Sequence, residues 1–199
     1  MDQSIVEMEL DAAPDEALLV AFANGDALSG RTLLKRLAPR LYSHAARMLG
    51  DKSEAEDVVQ ETMLRLWKIA PEWRTGEAKV STWAYRVVAN LCTDKLRSKG
   101  RRSTTDIDSI ADPIAPDPSA VERMSNAERN AALNDALTQL PERQRQAVML
   151  RHLEGLSNPE IADVMDIGVE AVESLTARGK RALKHALVGR KEELGFNDG

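Results

Sequence analysis

Between Ser157 and Lys191 the chain carries residue types suited to holding a polyanion. Ser157-Asn158-Pro159-Glu160 has the spacing of a capping box, in which the serine caps a helix and the glutamate reaches back. Asp166-Ile167-Gly168 reads as a tight turn. After Glu173, the run Arg178, Lys180, Arg181, Lys184, His185, Arg190, Lys191 contains no acid, which suits backbone phosphates. A second concentration lies upstream: of seven aromatic residues (Phe22, Tyr42, Trp67, Trp73, Trp83, Tyr85, Phe196), four fall between 67 and 85. Catalysis finds no comparable support, and no enzymatic activity or cofactor is expected. His44, His152 and His185 are scattered and make no metal-ligand pattern such as H-E-x-x-H. There is no phosphate-binding glycine loop and no nucleophile motif. His44 is expected to pack on a helix. Cys92, the single cysteine, forbids an internal disulfide and a thiolate metal cluster, and is expected to pack as a small apolar residue.

Helices must position these groups. Ala55, Val58, Val59, Thr62, Met63, Leu66 and Trp67 recur at the 3–4 spacing of one helix face, with Glu56, Asp57, Gln60, Glu61 and Lys68 on the other side. Ser53 is the expected N-cap. A further helix is predicted from about Ser81 to Arg97, burying Trp83 or Tyr85 with Val87, Val88 and Leu91, and stopped by Gly100. Pro141 marks the start of a helix over Glu142–Leu153, with Gly155 just past its end. The capping box opens a short helix with Ile161, Ala162 and Met165 inward. A second helix from near Val169 turns Ala171, Val172 and Leu175 inward. Two short helices joined by a three-residue turn describe a helix-turn-helix, whose second helix enters the DNA major groove. Spacing alone would equally fit a helical hairpin in a bundle. No stretch alternates in a β pattern, so the fold class is all-α.

The chain of 199 residues has room for two small domains, and its net charge of −5 hides a strong asymmetry. Residues 1–30 sum to −7, 31–102 to +8, 103–122 to −5 and 123–199 to −1. A basic block holding the aromatic cluster therefore sits between two acidic stretches, which suggests polyanion contact in one segment. Ser103 to Ser119 holds Pro113, Pro116 and Pro118 and reads as a linker. The expected organisation is an acidic disordered tail over 1–14, a helical part over 15–102, a flexible acidic linker over 103–122, a second helical part over 123–190 and a tail over 191–199. No run approaches a membrane span and the N-terminus lacks a secretory pattern, so a reducing cytoplasm is expected.

Glu56-Asp57-Val58-Val59-Gln60-Glu61-Thr62-Met63-Leu64-Arg65-Leu66-Trp67 resembles region 2.2 of bacterial RNA polymerase sigma factors of the extracytoplasmic-function type. Ser81-Thr82-Trp83-Ala84-Tyr85-Arg86-Val87-Val88-Ala89-Asn90-Leu91-Cys92-Thr93-Asp94-Lys95-Leu96-Arg97 resembles regions 2.3 and 2.4. Leu140-Pro141-Glu142-Arg143-Gln144-Arg145, Leu150 to Ser157 and Glu160-Ile161-Ala162 resemble region 4. The resemblance covers about 15–190 in the family's order. It implies that Asp57, Gln60 and Glu61 face the clamp helices of the polymerase β′ subunit, that region 4 meets the β flap, and that the loop at 70–80 with the following helix captures a melted −10 element. Pockets for flipped bases and aromatic or cationic platforms offset unstacking, at roughly 1–3 kcal/mol per stacked base. Trp73, Arg74 and Lys79 are the candidates in the loop; Arg86, Asn90, Lys95 and Arg97 are those on the helix, with Arg97, Lys99, Arg101 and Arg102 as a phosphate-holding run. The recognition helix departs from many relatives, which carry basic residues at the positions of Glu173 and Leu175. Glutamate can accept a hydrogen bond from cytosine N4. Readout of a −35 element is accordingly expected from Glu170, Glu173, Ser174 and Thr176, with Arg178, Lys180 and Arg181 as backbone or base contacts.

The resemblance thus implies an alternative sigma factor, used in stress response and held by an anti-sigma factor, that binds core RNA polymerase and directs promoter-specific initiation. A stand-alone helix-turn-helix regulator would explain 157–181 but not the helix at 54–68. A sigma mimic that sequesters anti-sigma factors would fit the acidic tail and Glu173, but not the block of +8.

Overall fold

The computed structural model describes residues 10–76, 78–100 and 120–188, and every regular element among them is a helix. The N-terminal half holds α1 (Asp15–Ala23), α2 (Ala27–Leu49), α3 (Lys52–Ile69), a 3-10 turn at Ala70–Glu72 and α4 (Val80–Gly100). Asp26 caps α2 by accepting from the Leu28 N–H at 3.0 Å, and Gly50 ends it in the left-handed conformation at φ 68°. That glycine lets the chain reverse at once into α3. The cap of α3 is Asp51, accepting from the Glu54 N–H at 3.0 Å, rather than the expected Ser53. The helix therefore begins at Lys52, because a carboxylate three residues before Glu54 reaches the first free N–H better than a serine already inside the turn.

Leu18, Leu19, Leu33, Leu37, Leu41, Val58, Met63, Leu66 and Val88 form the core between α1, α2, α3 and α4. The expected inner face of α3 holds: Ala55, Val58, Val59, Thr62, Met63 and Leu66 are buried, with Trp67 half-buried. Of the two aromatic candidates on α4, Tyr85 is buried and Trp83 half-buried. Residues 10–14 do not run free as the composition of 1–14 suggests. The Arg36 guanidinium donates to the carbonyls of Leu10, Asp11 and Ala13 and pairs with Asp15, while Leu10 packs on the core. The remaining expectation, for 1–9, lies outside the described residues, as do those for 103–119 and 191–199.

The C-terminal half holds α5 (Ala120–Thr138), α6 (Glu142–His152), α7 (Asn158–Met165) and α8 (Val169–Val188). The first of these begins at Ala120, inside the stretch that composition marks as linker. Both arms of the capping box at Ser157 and Glu160 are made. Asp166 takes the left-handed conformation at φ 51° in the turn to α8, where its short polar side chain tolerates the strain. Gly179 is buried where α8 crosses α6; a Cβ there would stand 2.5 Å from Val148 Cγ2. Val172 faces inward as expected and Leu175 is half-buried, but Ala171 is exposed. The phase of α8 is set by Val172 and Gly179, one residue off the face that Ala171 implied. The two halves pack on each other, α7 against α4 and α5 and α6 against α2. No described helix is long and apolar enough to cross a membrane.

Candidate nucleic-acid interface

Because α3 buries its apolar side, it presents Asp57 and Gln60 to solvent with Glu61 half-exposed at the edge of that face. Glu61 pairs with Arg65 one turn on, 2.7 Å, and Asp57 lies 3.8 Å from Lys95 of α4. Both pairs are exposed, where solvent screens them to little net stability, so the acids stay available to a partner. Beside them runs a groove of about 550 Å³ between α2 and α3, lined by Leu34, Tyr42, Val59, Met63 and Leu64 among others. Leu34 and Leu64 are exposed despite being leucines, at 41% and 56%. Sequence reasoning passed over both; the signal was that Leu64 falls off the 3–4 spacing of the buried face yet is apolar.

The loop after α3 and the face of α4 carry the second set. Trp73 packs edge-to-face on Trp83, centroids 6.3 Å apart, with its indole N–H buried and unpartnered. Arg74, Arg86, Asn90 and Arg97 are exposed and Lys95 is half-exposed. Lys99 is drawn the other way, pairing with Glu54 at 2.7 Å and Asp51 at 3.8 Å, so it serves the start of α3. Arg101 and Arg102 lie outside the described residues.

On α8, Glu170, Glu173, Arg178, Lys180 and Arg181 are exposed and Ser174 half-exposed, an open helix surface with acids early and cations late. Acids in the first turn suit the positive end of the helix dipole. Glu173 accepts weakly from the Asn158 side-chain amide at 3.4 Å. Thr176 is placed differently from the others: its hydroxyl is buried and unpartnered, turned toward the packing side.

The seam between the halves joins residues that the sequence keeps far apart. Lys79, from the loop before α4, reaches Glu160 at 2.8 Å. The other Glu160 oxygen accepts from the Ser157 N–H and hydroxyl, at 2.8 and 2.6 Å. Lys79 first, then Ser157, holds the Glu160 carboxyl down at about 2. Glu154, just past α6, is drawn into a socket of the other half, with a side chain only 5% exposed. There the Tyr85 hydroxyl donates to its carboxylate, Arg40 donates to its carbonyl at 3.0 Å, and His44 Nδ1 lies 4.0 Å away. Burial raises both the Glu154 carboxyl and the Tyr85 phenol, and pushes the enclosed His44 imidazole down to about 3. None of these four was legible as a group, since they come from three separate elements.

The geometry agrees with the comparisons. The family model described as Sigma-70 region 2 matches residues 33–102, and that described as Sigma-70, region 4 matches 130–183. The ECF RNA polymerase sigma-E factor of Escherichia coli (strain K12) is 32% identical over 178 residues, 85% of this chain and 92% of that protein. The ECF RNA polymerase sigma factor SigE of Mycolicibacterium smegmatis is 31% identical over 162 residues, 81% of this chain but only 62% of the relative's own length. Among solved structures, the sigma factor RpoE from Bartonella quintana, in complex with the anti-sigma factor NepR, superposes with a TM-score of 0.66 over 79% of this chain and 95% of that one. At 22% identity that likeness shows the fold alone. With two domain matches in the expected order, and relatives aligned over most of both chains, the chain belongs to the extracytoplasmic-function sigma factors of the sigma-70 family, alternative sigma factors that direct transcription initiation.

Proposed function

We propose that this chain is a dissociable, cytoplasmic initiation subunit whose three surfaces act in turn on core RNA polymerase and promoter DNA, with no catalytic chemistry of its own. Residues 15–102 form the polymerase-binding and −10 domain, the segment between 102 and the start of α5 at Ala120 the tether, and α5 to α8 the −35 domain. The observation that carries this reading is the exposed acidic face of α3, with Asp57, Gln60 and Glu61 beside the open Leu34–Leu64 groove. A stand-alone helix-turn-helix regulator has no use for such a face. It fits the β′ clamp helices, where the acids supply charge complementarity and the leucines supply burial, each about 1.5–3 kcal/mol when fully covered. The smaller apolar groove lined by Leu133, Leu137, Val148 and Leu183 suits the β flap.

On the DNA side, Arg74, Lys79, Arg86, Asn90, Lys95 and Arg97 would hold the opened −10 strand, with Arg101 and Arg102 on phosphate. Trp73 would reach a base only by leaving Trp83. Glu170, Glu173 and Ser174 would read −35 bases, and Arg178, Lys180 and Arg181 the backbone. The complex of the Bartonella quintana sigma factor with the anti-sigma factor NepR supports an anti-sigma partner for this chain.

Run-off transcription with purified core polymerase tests the whole reading, because only a sigma factor starts promoter-specific RNA. Reversing charge at Asp57 and Glu61 should abolish core binding with helical content unchanged. Wild-type core affinity in that variant would remove α3 from the polymerase interface.

A further inference from the structure

We propose that Glu16 is a positioning residue for promoter opening: from α1 it closes the start of α4 and so sets where the loop at 70–79 meets the −10 strand. This role rests on the reading of that loop and of α4 as the −10 face.

A helix leaves its first N–H groups without intrahelical partners, and the residue just before it commonly supplies an acceptor from its side chain. The residue in that place here cannot. The Lys79 carbonyl accepts from the Trp83 N–H at 3.0 Å, which puts Lys79 at the cap position with an ammonium that only donates. Ser81 and Thr82, the nearest hydroxyls, already lie inside the first turn of α4. The acceptor comes instead from 64 residues earlier in the chain: Glu16 Oε1 accepts from the Val80 N–H at 3.2 Å. A carboxylate in that place also suits the positive end of the α4 dipole. By sequence alone Glu16 reads only as a first-turn acid of α1.

The helix that carries Glu16 is itself held. The Arg36 guanidinium of α2 pairs with Asp15 and donates to the carbonyls of Leu10, Asp11 and Ala13. From there α1 packs on the 3-10 turn at Ala70–Glu72 and on α4, one at each end of the loop. Between those ends a groove of about 800 Å³ lies between Ala17, Val20 and Ala21 of α1 and Thr75, Gly76 and Ala78 of the loop. With little packing beneath its tip, the loop takes its position from its two ends, and Glu16 fixes the later one. Trp73 rests on Trp83 of the first turn of α4, and Arg86 projects from the second turn. A shift at Val80 therefore moves the candidate strand-holding groups together. Glu16 and Val80 both belong to the N-terminal half, so their contact does not depend on the helix-turn-helix.

The test uses the full-length chain and two variants that remove the same charge. Glu16→Ala loses the acceptor, and Glu16→Gln keeps one. Hydrogen exchange on the free chain, at the amides of 80–83, should quicken in Glu16→Ala and stay near wild type in Glu16→Gln. With core polymerase bound, fluorescence anisotropy then follows the labelled single-stranded −10 segment of a promoter mapped from transcript 5′ ends. Glu16→Ala should bind that strand about fivefold more weakly, the factor carried by one typical helix cap. Glu16→Gln should restore the affinity, with core-polymerase binding unchanged in both. Unchanged exchange in Glu16→Ala, or equal losses of strand affinity in the two variants, would overturn the positioning role. Quickened exchange with wild-type strand affinity would also overturn it where Arg86→Ala, on the outer face of α4, weakens the same binding. If Arg86→Ala binds the strand normally too, the −10 assignment of α4 fails, and the role of Glu16 with it.

Discussion

His44 sits in α2 with no solvent exposure and no hydrogen-bond partner at either ring nitrogen. Burial, with the Arg47 charge adding to it, pushes its ionisation down to about 3. In the unfolded chain the same imidazole takes up a proton near its ordinary value. Between those limits the unfolded state binds more protons, so stability conferred by neutral His44 is complete above the ordinary imidazole range and falls as the solution is acidified. The slope from this one residue approaches about 1.4 kcal/mol per pH unit. The raised Glu154 carboxyl acts in the opposite sense, since acid favours its folded form. Urea unfolding at a series of pH values from neutral down toward 4 should therefore show a steeper loss in the wild type than in His44→Leu. Parallel lines for the two proteins would mean that the imidazole is not held neutral. At the same scale, Arg178→Ala should weaken promoter binding by about the value of one phosphate or base contact, 1–3 kcal/mol, read by anisotropy on a promoter duplex. An unchanged affinity would shift the register of α8 on DNA.

The helix-turn-helix depends on one close approach between elements. Gly179 lets α8 lie on α6, and an added Cβ would meet Val148 Cγ2 at 2.5 Å and the Gln144 carbonyl at 3.1 Å. Both neighbours belong to the facing helix, so relief requires α8 to lift. Gly179→Ala should cost about 1–3 kcal/mol of stability despite alanine's better helix propensity. Thermal unfolding checks this, and a higher melting temperature would show that the two helices separate without strain. Most elements were legible beforehand, for physical reasons. The Ser157–Glu160 box, Pro141 and the inner face of α3 are local signals, carried by residues within one or two turns of each other. Misses arose where several local answers were possible. Asp51 and Ser53 both cap well, and only the geometry of the reversal at Gly50 selects the first. The phase of α8 escaped because Ala171 and Gly179 are both small, and the contact with Val148 decides which faces inward.

At the scale of the whole molecule, the two halves meet along a seam that places Cys92 within electrostatic reach of Glu142 and Arg145 of α6. Burial pushes its thiol up to about 12, so a thiol reagent should label the native chain slowly. Labelling of the native chain as fast as that of the urea-unfolded chain would mean that the fold does not cover the sulfur. The sequence by itself determined the all-helical class, the helix-turn-helix and the family, and it named most of the exposed residues that are proposed to meet polymerase and DNA. Those follow from periodicity, caps and motifs whose parts are near neighbours along the chain. Only the tertiary structure decided that Lys79 is tied to Glu160, that Trp73 leans on Trp83, that Leu34 and Leu64 line one groove, and that Glu154 is buried among Tyr85, Arg40 and His44. Each of these joins different elements, most of them far apart in sequence. The carboxylate of Glu154 reads as one more solvated charge until the fold takes it out of water.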